Sequence, residues 1–265
     1  MCMNSINKTL YIPLYGKAYV SKEGLFLEDK KAEAIWEKEG FPLKGKSKSK
    51  WLAYYMGIRS TVFDEWLREK ISEEEKEEMV IIHIGCGMDS RVLRVGTMNS
   101  KWYDVDFPEV IKERKRYFSE SDNYHMISAD VREQNWLTKI PERKSVIVVM
   151  EGVSMYLTPT ELQSLMGNLS AHFERIVLLM DCYTEFAAKM SKHKNPVKDV
   201  GVTKVYGMDK PESLQQGKFV YIKAHEMTPQ KYIDELHGIE KYIFRKIYAG
   251  SFSKKLYCLY EYRKL

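Results

Sequence analysis

The sequence predicts an α/β protein with a doubly wound, mostly parallel, seven-stranded Rossmann-like sheet, N-terminal helices ahead of it and a helical or irregular lid insertion late in the chain. Three observations predict it. From residue 79 onward, short apolar runs at 79–84, 102–105, 125–129, 146–150 and 176–180 alternate with helical patterns. The runs are mostly apolar instead of alternating regularly with polar residues, as expected for parallel strands covered on both faces. The first run leads directly into Gly85-Cys86-Gly87, a tight turn placed where such sheets bind ligands, at the carboxyl ends of the strands.

Residues 1–78 read as a helical cap and residues 79–265 as the sheet domain. A short helix fits 29–38, and the FPLKGKSKS stretch at 41–49 reads as a loop. Its lysine run suits a solvated linker better than a phosphate site. Over 50–71 the apolar residues Leu52, Tyr55, Met56, Val62, Phe63, Trp66 and Leu67 fall at steps of three and four, which makes one face of a long helix. Arg59 lies in the middle of that face. A guanidinium there must be paired, either with a core carboxylate or with an anionic ligand group. After the acidic stretch 72–78 the strands begin. A helix at 108–119 opens with Pro108. Another, at 159–173, opens with a Thr158/Glu161 capping box and carries Leu162, Leu165, Met166, Leu169 and Phe173 on one side.

Residues 182–227 break the rhythm with Asn195-Pro196, Gly201, Gly207, Pro211 and Gly217 and no clear strand, and read as a lid over a pocket. A helix at 228–237 is then expected, followed by strands at 242–248 and 256–262. Gly250-Ser251 between them suggests an antiparallel hairpin at the sheet edge.

Composition narrows the function classes. The 265 residues are 44% apolar, enough to bury a large core, and the formal net charge of +5 is too small to call for nucleic acid. The four cysteines are scattered without a C-x-x-C pair, so neither a zinc site nor a disulfide framework is visible, and no metal is expected. No apolar run approaches the ~20 residues of a membrane span, and no signal segment is evident. A cytoplasmic protein without membrane contacts is the expectation.

Acids sit at several predicted strand ends: Asp106, Asp130, Glu151 and Asp181. Asp106 follows Gly87 by 19 positions, a spacing at which a carboxylate accepts hydrogen bonds from ribose hydroxyls. A dinucleotide fingerprint would place a third glycine where Ser90 stands, and a pyrophosphate would meet Asp89, Asp106, Asp130 and Glu151 at short range. S-adenosylmethionine (SAM) has no phosphate but carries a sulfonium, an ammonium and one carboxylate. The acidic rim suits its cations and Arg59 its carboxylate, which favours SAM over a nicotinamide dinucleotide.

The runs IGCGMDSRVLR, WYDVDFPEVIKERK, SADVRE and MEGVSMYLTP, in that order, resemble the leucine carboxyl methyltransferase family. The N-terminal LYIPLYGKAYVSK is similar to its tetracenomycin-type polyketide O-methyltransferase branch. The resemblance covers about residues 9–182. It implies a class I SAM-dependent methyltransferase acting on oxygen, often a carboxylate. It also implies that Lys17 and Arg59 hold the SAM carboxylate, that Gly85 and Gly87 line the methionine portion, and that Asp106 takes the ribose hydroxyls. Asp130 and Val131 would then meet the adenine, and Glu151 the amino group. His83 departs from the acid found two residues before this glycine in many methyltransferases outside the family, and reads as a packed core histidine, with a cofactor neighbour the alternative.

Methyl transfer is a displacement governed by positioning. A carboxylate acceptor is ionised at neutral pH and needs no base, whereas a phenol does. No histidine in these motifs has a base role, which favours a carboxyl acceptor. Tyr156 is the candidate to orient it, with simple packing the alternative. The insertion's Tyr183, Phe186, Tyr206, Phe219 and Tyr221, with Lys189, Lys192, Lys194, Lys198 and Lys204, suit an apolar anionic small molecule such as a polyketide-like acid, or else an aromatic core with solvated lysines. A protein C-terminal carboxylate is an alternative acceptor. Competing readings are a non-catalytic SAM-binding module, a nicotinamide-dependent oxidoreductase and, disfavoured by charge and motifs, a nucleic-acid methyltransferase.

Overall fold

The computed structural model describes residues 10–41, 43, 45–73, 79–97, 100–142, 145–191 and 204–264. Lys192, Lys194, Asn195-Pro196, Lys198 and Gly201 of the expected lid, and residues 74–78 of the acidic stretch, lie outside them.

Seven strands form one sheet: β1 (Met79–Ile84), β2 (Ser100–Asp106), β3 (Tyr124–Ser128), β4 (Ser145–Met150), β5 (Arg175–Tyr183), β6 (Phe219–His225) and β7 (Tyr257–Lys264). Their spatial order is β3-β2-β1-β4-β5-β7-β6. The first five are parallel, and β7 runs antiparallel to both β5 and β6. Every residue of β1 and β4 is buried, which is why these strands read as unbroken apolar runs.

The period-2 geometry of β1 divides the core. Val80, Ile82 and Ile84 face a cluster closed by helix α6 (Pro159–His172), through Leu162, Leu165, Met166 and Leu169. Ile81 and His83 face the N-terminal helices α1 (Tyr11–Lys22), α2 (Lys30–Glu39) and α3 (Lys50–Glu73), whose Leu14, Ile35, Ile58 and Phe63 join the same cluster as Ile81 and Ile147. The capping box of α6 is present in both directions, with Thr158 Oγ1 accepting from Glu161 N and Glu161 accepting from Thr158 N. In α2, Asp29 is the N-cap, accepting from Ala32 N at 2.8 Å.

The C-terminal third corrects the sequence reading. Residues 182–227 were expected to hold no strand, yet β6 lies there. Phe219 is fully buried and stacks on Tyr262 with ring centroids 5.4 Å apart. The segment expected as a strand at 242–248 is helix α9 (Gly238–Ile247), and the antiparallel edge pair is β6–β7. The physical reason lies in the burial period. Phe244 is buried while Ile239, Tyr242 and Ile247 are exposed, so the isoleucines and aromatics that suggested a strand lie around a helix with one anchor. Gly250-Ser251 opens the short helix α10 (Ser251–Lys254), not a hairpin turn. The helix expected at 228–237 shortens to α8 (Gln230–Ile233), and that at 108–119 to α5 (Pro108–Arg114). No helix among the described residues is long and apolar enough to cross a membrane.

Candidate active site

At the carboxyl end of β1 the chain turns through Gly85 and Gly87, both in the left-handed region at φ +67° and +51°. A Cβ on Gly85 would stand 2.1 Å from Val153 Cγ2, so only glycine fits there. Gly85 N–H donates to Val105 O at 2.7 Å, which ties the turn to β2. Gly87 N–H donates to one oxygen of Asp106 and Phe107 N–H to the other, each at 2.8 Å. Both carboxylate oxygens are thus oriented by backbone, and each keeps lone-pair capacity toward the cavity. Burial pushes the Asp106 carboxyl up to about 6, against these two hydrogen bonds.

Asp106 lines a cavity of about 480 Å³ that runs along the carboxyl edge of the sheet. Lys17, Arg59, Gly85, Gly87, Asp106, Asp130, Val131, Glu151 and Tyr156 all line this one cavity. The structure therefore brings together these nine residues singled out in the sequence, from six separate stretches of chain. Residues of the short helix α7 (Glu185–Ser191), Tyr183, Tyr248 and Tyr257 complete its far end.

The charged residues of the wall are paired, which revises the picture of an open acidic rim. Lys17 Nζ is 3.1 Å from Asp89. Arg59 donates from Nε to Glu151 at 3.0 Å and from Nη1 to Asp181 and Tyr257 Oη at 3.0 and 2.9 Å. Of the two partners open to Arg59 in the sequence, the structure supplies core carboxylates, while still placing the guanidinium at the cavity wall. Glu151 also accepts from Arg91, and the two guanidiniums hold its carboxyl down at about 2 against the effect of burial. Asp130 is clasped by the half-exposed Arg132. The physical reason is general: a carboxylate taken from water needs a cation or donors, and the glycine turn brings two arginines with it.

Those arginines, in the short helix α4 (Arg91–Val95), are what the sequence reading missed. Arg91 is fully buried, with Nε 2.6 Å from Asp64, and it also bonds Glu151. Arg94 bonds Asp64 and Asp29, each at 2.6 Å, and Asp89 at 2.9 Å. Two helices of the N-terminal cap and the glycine turn are thus locked by one ionic cluster. Its signal was present in the sequence, since Asp64 falls on the apolar-striped helix as Arg59 does. His83 is buried as expected of a core residue. Its Nε2 faces Arg91 Nη1 at 3.1 Å and must accept, which leaves the proton on Nδ1, 3.3 Å from Asp104 but poorly aligned with it. Burial keeps the ring neutral. Asp104 in turn pairs with Arg114 at 2.5 Å. Among the described residues, no group of three or more His, Cys, Asp or Glu is arranged to hold a metal ion.

A sheet of this order with its last strand antiparallel, a glycine turn after β1 and a backbone-anchored acid at the end of β2 together define the class I SAM-dependent methyltransferase architecture. Solved structures agree on the fold. The magnesium protoporphyrin IX methyltransferase ChlM from Synechocystis PCC 6803, with bound SAM, superposes with a TM-score of 0.52 at 10% identity, covering 89% of this chain and 98% of that one. The plantazolicin methyltransferase BpumL gives 0.50 at 10% identity over 99% of both chains. The leucine carboxyl methyltransferase model matches residues 7–170, and the chain belongs to that family of SAM-dependent methyltransferases. It is 26% identical over 189 residues to the tetracenomycin polyketide synthesis O-methyltransferase TcmP of Streptomyces glaucescens, across 70% of this chain and 69% of that protein. It is also 27% identical over 184 residues to the SAM-dependent methyltransferase dpfgK of Gibberella zeae, across 64% and 61%.

Proposed function

We propose that the protein transfers the methyl group of SAM to an oxygen of a small, largely apolar organic acid, with a carboxylate as the acceptor and a phenolic hydroxyl as the second choice. The observation that carries this reading is the state of the cavity's titratable groups. Asp89, Asp130 and Glu151 are ion-paired, His83 is neutral and wedged between Arg91 and Asp104, and Asp106 faces the ribose position. Among these residues no uncommitted base is left for a hydroxyl, whereas a carboxylate needs none.

The residues fit the cofactor on two counts. The Gly85 cradle is closed to any side chain, and Asp106 is oriented for a diol. SAM supplies an activated methyl carbon on a positively charged sulfur. Asp106 accepts from the ribose hydroxyls, Asp130 and Val131 border the adenine, and Gly85 and Gly87 admit the methionine chain against the backbone. Lys17 and Arg59 present positive charge to its carboxylate while keeping their acidic partners, and Glu151 faces the amino group. Tyr156, in the turn after β4, borders the acceptor. Catalysis is alignment, together with exclusion of water by Leu10, Leu14, Met56 and Met155 around the reacting atoms.

The test is incubation with labelled SAM and a panel of aromatic and aliphatic acids and phenols, followed by alkaline treatment of the product. A base-labile methyl ester supports the carboxylate reading; an alkali-stable ether as the sole product removes it.

A further inference from the structure

We propose that the Tyr55 hydroxyl donates a hydrogen bond to an oxygen of the methyl-acceptor molecule, in a subsite that Tyr55, Tyr183 and Tyr257 form at the β5–β7 end of the cavity. The inference rests on the methyl-transfer reading above and adds the acceptor's location and recognition group.

Strand order fixes the location. Asp106 ends β2, Gly85 follows β1, Glu151 follows β4, and Tyr183 pairs in register with Tyr257 across β5 and β7. Four strand spacings separate β2 from β7, about 19 Å. The ribose end lies over β2, and the paired cations of the methionine end lie over β1 and β4. The β5–β7 end is the remaining length of the same cavity, bordered by Ala187 and Met190 of α7 and by Leu256.

The chemistry there is built. Tyr55 lies one turn before Arg59 on α3, so both side chains leave the same helix face. Its ring meets the edge of Tyr257 at a centroid distance of 6.2 Å, and Tyr257 meets Tyr183 at 5.0 Å. Tyr257 is fixed: its hydroxyl donates to Asp181 at 2.5 Å and accepts from Arg59. Asp181 is itself fixed by Gly152 N–H at 2.7 Å. Tyr55 is thus held against an immobile ring while its own hydroxyl, at the cavity wall, has no hydrogen-bond partner among the described residues. Burial raises its pKa, so it stays protonated and serves as a donor, not a base. A donor suits an acceptor carboxylate, whose second oxygen needs a partner once the anion leaves water. Three aromatic rings with Met190 and Leu256 suit a flat, apolar body behind it.

The test titrates biphenylcarboxylate, and separately hydroxybiphenyl, into the protein saturated with S-adenosylhomocysteine (SAH), using wild type and Tyr55→Phe. The substitution keeps the ring against Tyr257 and removes one oxygen. Wild type is expected to bind the carboxylate saturably and Tyr55→Phe about 10- to 100-fold more weakly, with SAH affinity the same in both proteins. Equal carboxylate affinity in the two proteins overturns the proposal, as does absence of binding by wild type or a parallel loss of SAH affinity. If hydroxybiphenyl alone binds and is weakened by Tyr55→Phe, Tyr55 stands as the recognition group and the carboxylate reading falls.

Discussion

The two ends of the cavity are built in different ways. The end at β1 and β2, proposed above to take the ribose, consists of backbone: two left-handed glycines, two peptide N–H groups on Asp106, and behind them a cluster in which Arg91 and Arg94 clamp Asp64, Asp29 and Asp89. The end proposed to take the acceptor consists of side chains from α3, β5, α7 and the start of β7, with Met190 46% exposed. The difference teaches where specificity resides. An arrangement of backbone and buried charge tolerates little change and suits a cofactor common to many enzymes. A wall made of side chains, with a methionine exposed at its edge, is more open to substitution.

The largest expected effect lies in the ionic cluster. Arg91→Leu leaves buried Asp64 with Arg94 alone and buried Glu151 with Arg59 alone, each short of one cation, and unfolding in urea should show a loss of about 3–5 kcal/mol. A change below about 1 kcal/mol would mean that the cluster does not lock the cap to the turn. Next come the glycines. Gly85→Ala meets Val153 as well as the left-handed penalty, whereas the nearest atom to a Cβ on Gly87 is Leu10 Cβ at 3.5 Å. Gly85→Ala should therefore cost about 1–3 kcal/mol more than Gly87→Ala, read from paired denaturation curves. Equal costs would remove the close-approach argument.

The pH dependence is smaller and specific to the ribose end. The folded carboxyl of Asp106 is raised to about 6 from an ordinary value of 3.8. A raised acid favours the fold while both states hold the proton, and that contribution is lost as pH rises from about 4 to about 6. Ligand binding has the opposite sign, because ribose hydroxyls donate to the ionised form. SAH affinity should therefore fall as pH drops through about 6, by up to about tenfold per unit, and Asp106→Asn should flatten the profile. An unchanged slope in that variant would assign the titration elsewhere. The smallest effect belongs to the acceptor end. Met190→Ala should alter stability by less than about 0.5 kcal/mol and leave SAH affinity alone while changing which acceptors are methylated.

This contrast also governs what the sequence made legible. The glycine turn and the position of Asp106 were readable because backbone constraints leave fixed marks: glycines directly after a strand, and an acid 19 positions later. The five parallel strands were readable because burial on both faces leaves few polar residues in each run. The Arg91/Arg94 cluster was not assembled, since its acids, Asp29 and Asp64, stand 62 and 27 positions ahead of Arg91 and only the fold joins them. The C-terminal third was misread for a related reason. Helix α9 carries isoleucines and aromatics on its exposed side as well as its buried one, and β6 buries Phe219 while Ile222, Lys223 and Ala224 are exposed, in a stretch rich in turn residues. In both places local composition points one way and tertiary packing decides the other. Tyr55 counted as one more apolar residue of a helical stripe, and its meaning came only from the ring of Tyr257 beside it.

The central claim is that Asp106 and the glycine turn form the ribose site of a methyltransferase. Calorimetric titration of SAH into wild type and Asp106→Ala tests it most directly. One site per chain in wild type and a loss of about 10- to 100-fold in the variant, with the fold intact by circular dichroism, is the predicted result. Equal affinity in the two proteins would contradict the account.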